Sequence, residues 1–98
     1  MILVFGSAIV DIGFEANHLP RAGETVLCPD ASLKPGGKGA NQAVAAARAG
    51  ADVVFVGAVG KDALGDLLLD SLAAENIDLN SVFRVDALTG VAAVAVDK

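Results

Sequence analysis

The sequence predicts an α/β fold in which helices pack on a parallel β-sheet. Strand, helix, strand, helix and strand patterns follow one another along the 98 residues, an order typical of this fold class. The strand patterns are short, continuous apolar runs, for example at residues 2–5 and 53–56, as expected for parallel strands covered on both faces. No internal repeat or flexible linker divides the chain, so we expect one small domain or part of a larger one.

The first strand, at residues 2–5, ends at Gly6 and is followed closely by Asp11. In open α/β sheets, ligands bind beyond the carboxyl ends of the strands. A carboxylate at this place can accept two hydrogen bonds from vicinal hydroxyl groups, which suits a sugar. A solvated loop aspartate is the alternative interpretation of the same residue.

Two extended segments are predicted next, at residues 11–16 and 24–32, on either side of a turn rich in proline and glycine. Both segments are only partly apolar and precede the first helix, so they are expected to form a small sheet apart from the main one. His18, near the turn, is expected to be an exposed loop residue because no cluster at metal-ligand spacing surrounds it. Cys28 is expected to be a packing residue of the second segment.

The chain is organised around a glycine-rich turn at residues 36–39. Three glycines in four positions disfavour a helix or strand interior, whereas the alanine-rich residues that follow favour a helix. We expect this helix over residues 40–49, with Gly50 as its stop. Its opening leaves backbone N–H groups with partial positive charge, and the absent side chains are expected to let a ligand approach them. Asn41 falls in the first turn, where its amide is expected to contact the same ligand.

Three interpretations of this turn were compared. A phosphate-binding P-loop requires glycine five positions before Gly37 and Ser or Thr after Lys38, but the sequence has Ser32 and Gly39 there. A dinucleotide-binding fingerprint requires glycine at position 42, which is Gln42. A glycine-rich connector that binds nothing is the third interpretation, and the residues alone leave it open.

The second half of the chain repeats the strand and helix order. After the strand at residues 53–56, a second helix is predicted to begin near Asp62, whose side chain can accept from free N–H groups of the first turn. Leucines at helical spacing place one face of this helix in the core. These leucines are Leu64, Leu67, Leu68 and Leu72. Two further strands are predicted at residues 81–85 and 91–96.

Composition excludes several kinds of partner. The net charge is −5 and no cluster of Lys and Arg is present, which disfavours nucleic acid and anionic membranes as partners. No apolar run reaches the ~18 residues that a membrane-spanning helix needs. Cys28 is the single cysteine, so a disulfide within the chain is excluded, and the reducing cytoplasm is the expected location.

Residues 36–47, which begin Gly-Gly-Lys-Gly-Ala-Asn-Gln, resemble the N-terminal motif of the ribokinase-like (PfkB) sugar kinases. Further segments resemble this family in the same order and spacing, at residues 6–11, 20–25, 59–65 and 89–92. The resemblance implies a ribokinase-like α/β fold with a parallel sheet, flanking helices and a small β lid. The lid would be built from strands at about 11–16, 24–32 and 91–96. Because members of the family are roughly three times as long, residues 1–98 are expected to be the N-terminal part of one kinase domain, incomplete at the C-terminus.

The resemblance also implies a function, the ATP-dependent phosphorylation of a primary hydroxyl of a sugar, with Mg²⁺ and with K⁺ as a further candidate ion. The family's catalytic base is an Asp in a Gly-Ala-Gly-Asp motif, which this sequence does not contain. ATP and the ions are therefore expected to bind mainly outside this chain, and a homodimer through the lid is expected. The residues expected to bind the sugar are Asp11, Gly37, Lys38, Gly39, Ala40 and Asn41. A non-catalytic sugar-binding or interaction fragment is the alternative.

One position departs from the family's ribose-specific pattern. That pattern has an Asn two residues before the sugar-binding Asp, whereas this sequence has Ile9 two residues before Asp11. An apolar side chain there removes one hydrogen bond to the sugar, so the sequence predicts a sugar or nucleoside other than ribose as the preferred substrate.

Overall fold

The computed structural model describes residues 1–97, which form two sheets and two helices. The elements in chain order are β1 (Ile2–Phe5), β2 (Ile9–Ala16), β3 (Ala31–Gly36), α1 (Lys38–Arg48), β4 (Val53–Gly60), α2 (Ala63–Ala73), β5 (Val82–Val85) and β6 (Val91–Asp97).

The main sheet has the order β1-β4-β5, and all its strands are parallel. The first half of β4 pairs with β1, from Ile2 opposite Val53 to Phe5 opposite Val56, and the second half pairs with β5. This arrangement confirms the predicted parallel sheet. It also explains why β4 continues to Gly60 and does not end at residue 56 as predicted: its last four residues have their own partner strand, whose ladder keeps the glycines extended.

Both helices pack on one face of this sheet. The core combines Phe55 of β4 with Leu68 and Leu72 of α2, each at most 1% exposed, and with small side chains of α1. Leu64 and Leu67 pack against the same cluster, so the predicted apolar face of α2 is confirmed. Small side chains suit α1 because they let its backbone lie close to the strands.

The helix boundaries follow the capping residues. Asp62 caps α2 as predicted, since its Oδ1 accepts a hydrogen bond from the Gly65 N–H at 2.8 Å. Gly50 has a φ of 98°, the left-handed conformation expected just past the end of α1. The start of α1 lies at Lys38, two residues before the predicted start, because Gly37 already serves as the residue that precedes the first turn.

The other face of the main sheet is uncovered within residues 1–97. Leu3 and Phe5 of β1 are 59% and 81% exposed, and Phe83 of β5 is 65% exposed. The expectation that β1 is covered on both faces is therefore wrong for the described residues. The physical reason is that both connections carry their helix to the same side of the sheet.

The second sheet has the order β3-β2-β6, with β2 antiparallel to β3 and parallel to β6. The extended segment predicted at residues 24–32 is a strand only from Ala31 onward, and β3 continues to Gly36. The pairing register is the reason: Phe14 lies opposite Ala31 and Ile9 opposite Gly36, so most of residues 24–30 lie beyond the end of β2 at Ala16.

The connection between β2 and β3 contains Cys28 and His18, the one cysteine and the one histidine of the sequence. Cys28 lies in this connection, half-buried, and so is not the strand residue that was predicted. His18 is exposed, as predicted, and its Nε2 lies 3.0 Å from Oε1 of Glu24. The same carboxylate oxygen accepts the Arg21 N–H at 3.1 Å, which holds the turn together.

Candidate functional site

The glycine-rich turn packs directly on the turn that follows β1. The Ala40 N–H donates a hydrogen bond to the carbonyl oxygen of Ser7 at 3.0 Å. A Cβ atom on Gly39 would lie 2.8 Å from the Cα and C atoms of Gly6, closer than real Cβ contacts. The missing side chain at Gly39 therefore serves backbone packing, and its role in opening the turn to a ligand stays a prediction. The Ala40 N–H is likewise used within the protein.

Gly37 shapes the start of α1. It has φ 93° and ψ 140°, which disfavours any residue with a side chain, and a Cβ there would lie 2.6 Å from the Ser7 carbonyl oxygen. The N–H groups of Gly37, Lys38 and Gly39 have no hydrogen-bond acceptor among residues 1–97. These are the donors that a helix opening leaves free, at the end of the helix with partial positive charge.

Asp11 lies next to this helix opening. A Cβ atom on Gly36 would lie 2.5 Å from Oδ2 and 2.6 Å from Oδ1 of Asp11, so the absence of a side chain at Gly36 makes room for the carboxylate. Asp11 is half-buried and makes no hydrogen bond or ion pair with any other described residue. The structure thus brings together an acceptor-only carboxylate and a group of backbone N–H donors.

Asp11 also lines one end of a groove on the second sheet. The groove has a volume of about 510 Å³, within the range of small-ligand sites. Its charged lining residues are Asp11, Glu15, Asp30 and Lys34. Three carboxylates against one ammonium group repel a phosphate but accept hydrogen bonds from neutral hydroxyl groups.

Asn41 does not share that groove. Its side chain is exposed and lines a different groove, between α1 and α2. One end of this second groove is formed by Arg48, which donates through Nε and Nη2 to the carboxylate of Glu75. The hydrogen bond from Arg48 lowers the pKa of Glu75, and the same pair raises the pKa of Arg48.

Lys34 is the functional candidate that the sequence reasoning missed. It lies directly opposite Asp11 in the antiparallel pair of β2 and β3, and it lines both grooves. The hairpin register was the signal that could have identified it. Lys38, by contrast, is exposed at the first position of α1 and makes no ion pair with another described residue.

Two further kinds of site were considered for residues 1–97. Neither α1 nor α2 has the length and apolar character that crossing a bilayer requires. Within the same residues, no group of three or more His, Cys, Asp or Glu side chains has the arrangement of a metal site.

The chain is similar to known proteins of one family. The family model described as pfkB family carbohydrate kinase matches residues 1–98. The chain is 43% identical over 94 residues to the ribokinase of Lactococcus lactis subsp. lactis. The aligned residues cover 95% of the chain and 31% of that protein. It is 38% identical over 97 residues to the deoxyribokinase of Salmonella typhi, which covers 98% of the chain and 32% of that protein.

A solved structure shows the same fold. The ribokinase of Arabidopsis thaliana, complexed with ribose and ATP, superposes with a TM-score of 0.88 at 38% identity, over 97% of this chain and 31% of that one. The chain thus spans about a third of the length of the proteins it matches. The ribokinase-like α/β fold is confirmed, and the chain belongs to the pfkB family of carbohydrate kinases.

Proposed function

We propose that this chain supplies the sugar-binding part of an ATP-dependent carbohydrate kinase. The observation that carries the proposal is the Asp11 carboxylate, which has no partner among residues 1–97 and lies on Gly36 beside the N–H donors of α1. Family membership supports the same activity, as does the Arabidopsis relative with its bound ribose and ATP.

The two kinds of group have complementary roles in this proposal. Asp11 accepts hydrogen bonds from vicinal hydroxyls of the sugar, while the N–H groups of Gly37 to Gly39 donate to sugar oxygens. Holding the ring from two sides directs its primary hydroxyl toward the phosphoryl donor. Phosphoryl transfer depends mainly on positioning and electrostatic stabilisation, so this binding contributes directly to the rate.

Lys38, Ala40 and Asn41 complete the proposed sugar-binding set. Lys38 and Asn41 are exposed on the first turn of α1, and their contact with the sugar is part of the proposal. Ala40 contributes through the turn itself, because its N–H fixes the start of α1 to Ser7.

The remaining parts of the reaction are assigned outside this chain. The Gly-Ala-Gly-Asp motif of the family's catalytic base is absent from the sequence, and no described residues form a metal site. We therefore propose that ATP, Mg²⁺ and any K⁺ are held by other parts of the full-length protein. The sheet β3-β2-β6 is proposed to act as a lid over the sugar and as the contact surface of a homodimer, in the cytoplasm.

A second candidate is a sugar-binding chain without catalysis. It is favoured by the same absence of the catalytic motif from these 98 residues. In this case Asp11 and the helix opening would bind a sugar, and no phosphoryl group would be transferred.

Calorimetric titration of the full-length protein, followed by a turnover assay with ATP, separates these proposals. We expect a pentose, hexose or nucleoside from a panel to bind and to be phosphorylated. Binding without phosphorylation would support the second candidate. Binding of nicotinamide nucleotides with no binding of any sugar would contradict both.

A further inference from the structure

A partly buried polar cluster joins the carboxyl end of β4 to the start of β6. Oδ1 of Asp62 accepts hydrogen bonds from the Gly65 N–H at 2.8 Å and from the Thr89 hydroxyl at 2.6 Å, while Oδ2 accepts the Thr89 N–H at 2.8 Å. The Thr89 hydroxyl oxygen in turn accepts the Gly60 N–H at 2.9 Å. Thr89 is only 5% exposed, whereas Asp62 is half-buried, so the Thr89 end of this network is the more shielded from water. The hydrogen bonds from Thr89 and Gly65 lower the pKa of Asp62.

The glycines of this segment keep the cluster tight. A Cβ on Gly60 would overlap the Ala87 carbonyl oxygen and lie 2.6 Å from the Thr89 nitrogen. A Cβ on Gly65 would overlap the Gly60 carbonyl oxygen. The backbones of three segments are therefore in direct contact around the Asp62 carboxylate. Because these backbones are closely packed, we expect a small change in Asp62 to displace them.

The cluster is connected to Asp11 through two short steps. Thr89 is followed by Gly90, whose carbonyl oxygen accepts the Val10 N–H at 2.9 Å. Gly90 also packs on Ile9, since a Cβ on Gly90 would lie 3.0 Å from Cγ2 of Ile9. From there β6 runs beside β2, with Ala92 opposite Asp11. Backbone contacts therefore link the Asp62 cluster to the strand that carries Asp11.

We propose that Asp62 and Thr89 are positioning residues for Asp11: they fix the start of β6 on the main sheet, and β6 fixes β2 at the sugar site. The proposal rests on the sugar-binding role of Asp11 proposed above. In this proposal Asp62 and Thr89 have a role besides the capping of α2. The proposed sugar-binding role of the glycine-rich turn does not include it.

Helix capping alone does not require this arrangement. A cap needs one acceptor oxygen, and Asn serves about as well as Asp. The second oxygen of Asp62, which accepts the Thr89 N–H, contributes nothing to α2. Asp62→Asn therefore separates the two roles: its Oδ1 still caps α2, but its NH₂ group faces the Thr89 N–H, donor against donor.

The test compares two disruptive variants with two matched controls in the full-length protein. Asp62→Asn and Thr89→Val break the cluster. Thr89→Ser keeps the hydroxyl, and Asp70→Asn removes an exposed carboxylate of α2 that makes no ion pair with another described residue. We expect the disruptive variants to raise the KM for the sugar about tenfold with the KM for ATP unchanged, and to speed hydrogen exchange at the Val10 amide. Both controls should stay near wild type.

Three results would overturn the proposal. The first is an unchanged sugar KM together with unchanged Val10 exchange in both disruptive variants. The second is an equal rise in the KM values for sugar and ATP, and the third is faster exchange throughout the protein, since both indicate general destabilisation. If the wild type phosphorylates no sugar, the proposed function fails, but exchange at Val10 still decides whether Asp62 and Thr89 position β2.

Discussion

Asp11 owes its position to a glycine on the neighbouring strand. The side chain of any other residue at position 36 would occupy the space of the Asp11 carboxylate, so the pair Asp11 and Gly36 acts as one unit. Because Asp11 has no partner among residues 1–97, its hydrogen-bonding capacity is available to a ligand.

We predict that Asp11→Asn lowers kcat/KM for every accepted sugar. Hydrogen bonds to a charged group contribute about 1.5–3 kcal/mol, which corresponds to roughly a tenfold to more than a hundredfold loss. Steady-state kinetics of the full-length protein measures this. Asp70→Asn is the control, because Asp70 is an exposed carboxylate of α2 that lines neither groove. Equal effects of the two substitutions would remove Asp11 from the site.

Two glycines of the same turn should respond differently to substitution. At Gly36 an added methyl group meets the mobile carboxylate of Asp11, whereas at Gly39 it meets the backbone of Gly6 and Ser7. We therefore expect Gly36→Ala to lower sugar kcat/KM with little change in Tm. Gly39→Ala should lower stability by about 1–3 kcal/mol, because the backbone cannot yield easily. Thermal unfolding and kinetics of both variants check this, and a Gly36→Ala variant that unfolds early with normal kinetics would contradict it.

Ile9 is expected to determine which sugar is preferred. It is half-buried, lies two residues before Asp11 on β2, and therefore shares its face of the sheet. A sugar hydroxyl facing Ile9 lacks a partner, at a cost of about 1–3 kcal/mol. We predict that ribose is a poorer substrate than a sugar or nucleoside without that hydroxyl, and that Ile9→Asn improves the use of ribose. A substrate panel in which ribose is clearly best would show the prediction to be wrong.

At the scale of elements, the boundaries that depend on neighbouring residues could be predicted, and the boundaries that depend on distant residues could not. Asp62 and Gly50 mark helix ends through their own chemistry, so both boundaries could be predicted from the sequence. The start of β3 could not be predicted, because it depends on the register in which β3 pairs with β2. The same holds for Thr89, whose hydrogen bond to Asp62 joins residues that are 27 positions apart.

The candidate site could likewise be predicted only where it depends on local residues. Asp11 and the glycine-rich turn stand out in the sequence, and the structure places Asp11 against Gly36. The groove lined by Asn41 and the position of Lys34 depend on how β3, α1 and α2 meet, which no local pattern encodes. The packing role of Gly39 could not be predicted for a similar reason: its close neighbour is Gly6, on a turn more than thirty residues earlier.

The Asp62 cluster predicts how stability depends on pH. Its hydrogen bonds lower the pKa of Asp62 in the folded protein below the unfolded value of about 3.9. The stabilisation is therefore fully present above that value and is lost as the pH falls through the lower, folded pKa. We expect the Tm difference between wild type and Asp62→Asn to be constant from pH 5 to 7, as rough limits, and to shrink below about pH 4. A difference that grows on acidification would contradict this.

At the scale of the whole molecule, one face of the main sheet has no cover within residues 1–97. Leu3, Phe5 and Phe83 are largely exposed there, and large apolar patches of this kind lead to association. The relatives are about three times as long as this chain.

We predict that the 98-residue chain alone self-associates and produces no sugar phosphate above a vector-only control. The exposed sheet face is the reason for the first expectation, and the absent Gly-Ala-Gly-Asp motif for the second. Sedimentation and a product assay on the purified chain measure the two. Robust turnover by a verified 98-residue chain would mean that the catalytic base lies within this sequence.

The central claim is that Asp11 and the opening of α1 hold a sugar for phosphorylation. The most direct test is mass-spectrometric detection of sugar phosphate made by the full-length protein from ATP and a panel of sugars and nucleosides. We predict a product phosphorylated at a primary hydroxyl, greatly reduced with Asp11→Asn and retained with Asp70→Asn. Absence of any phosphorylated product with wild type, or the same yield from wild type and Asp11→Asn, would contradict the claim.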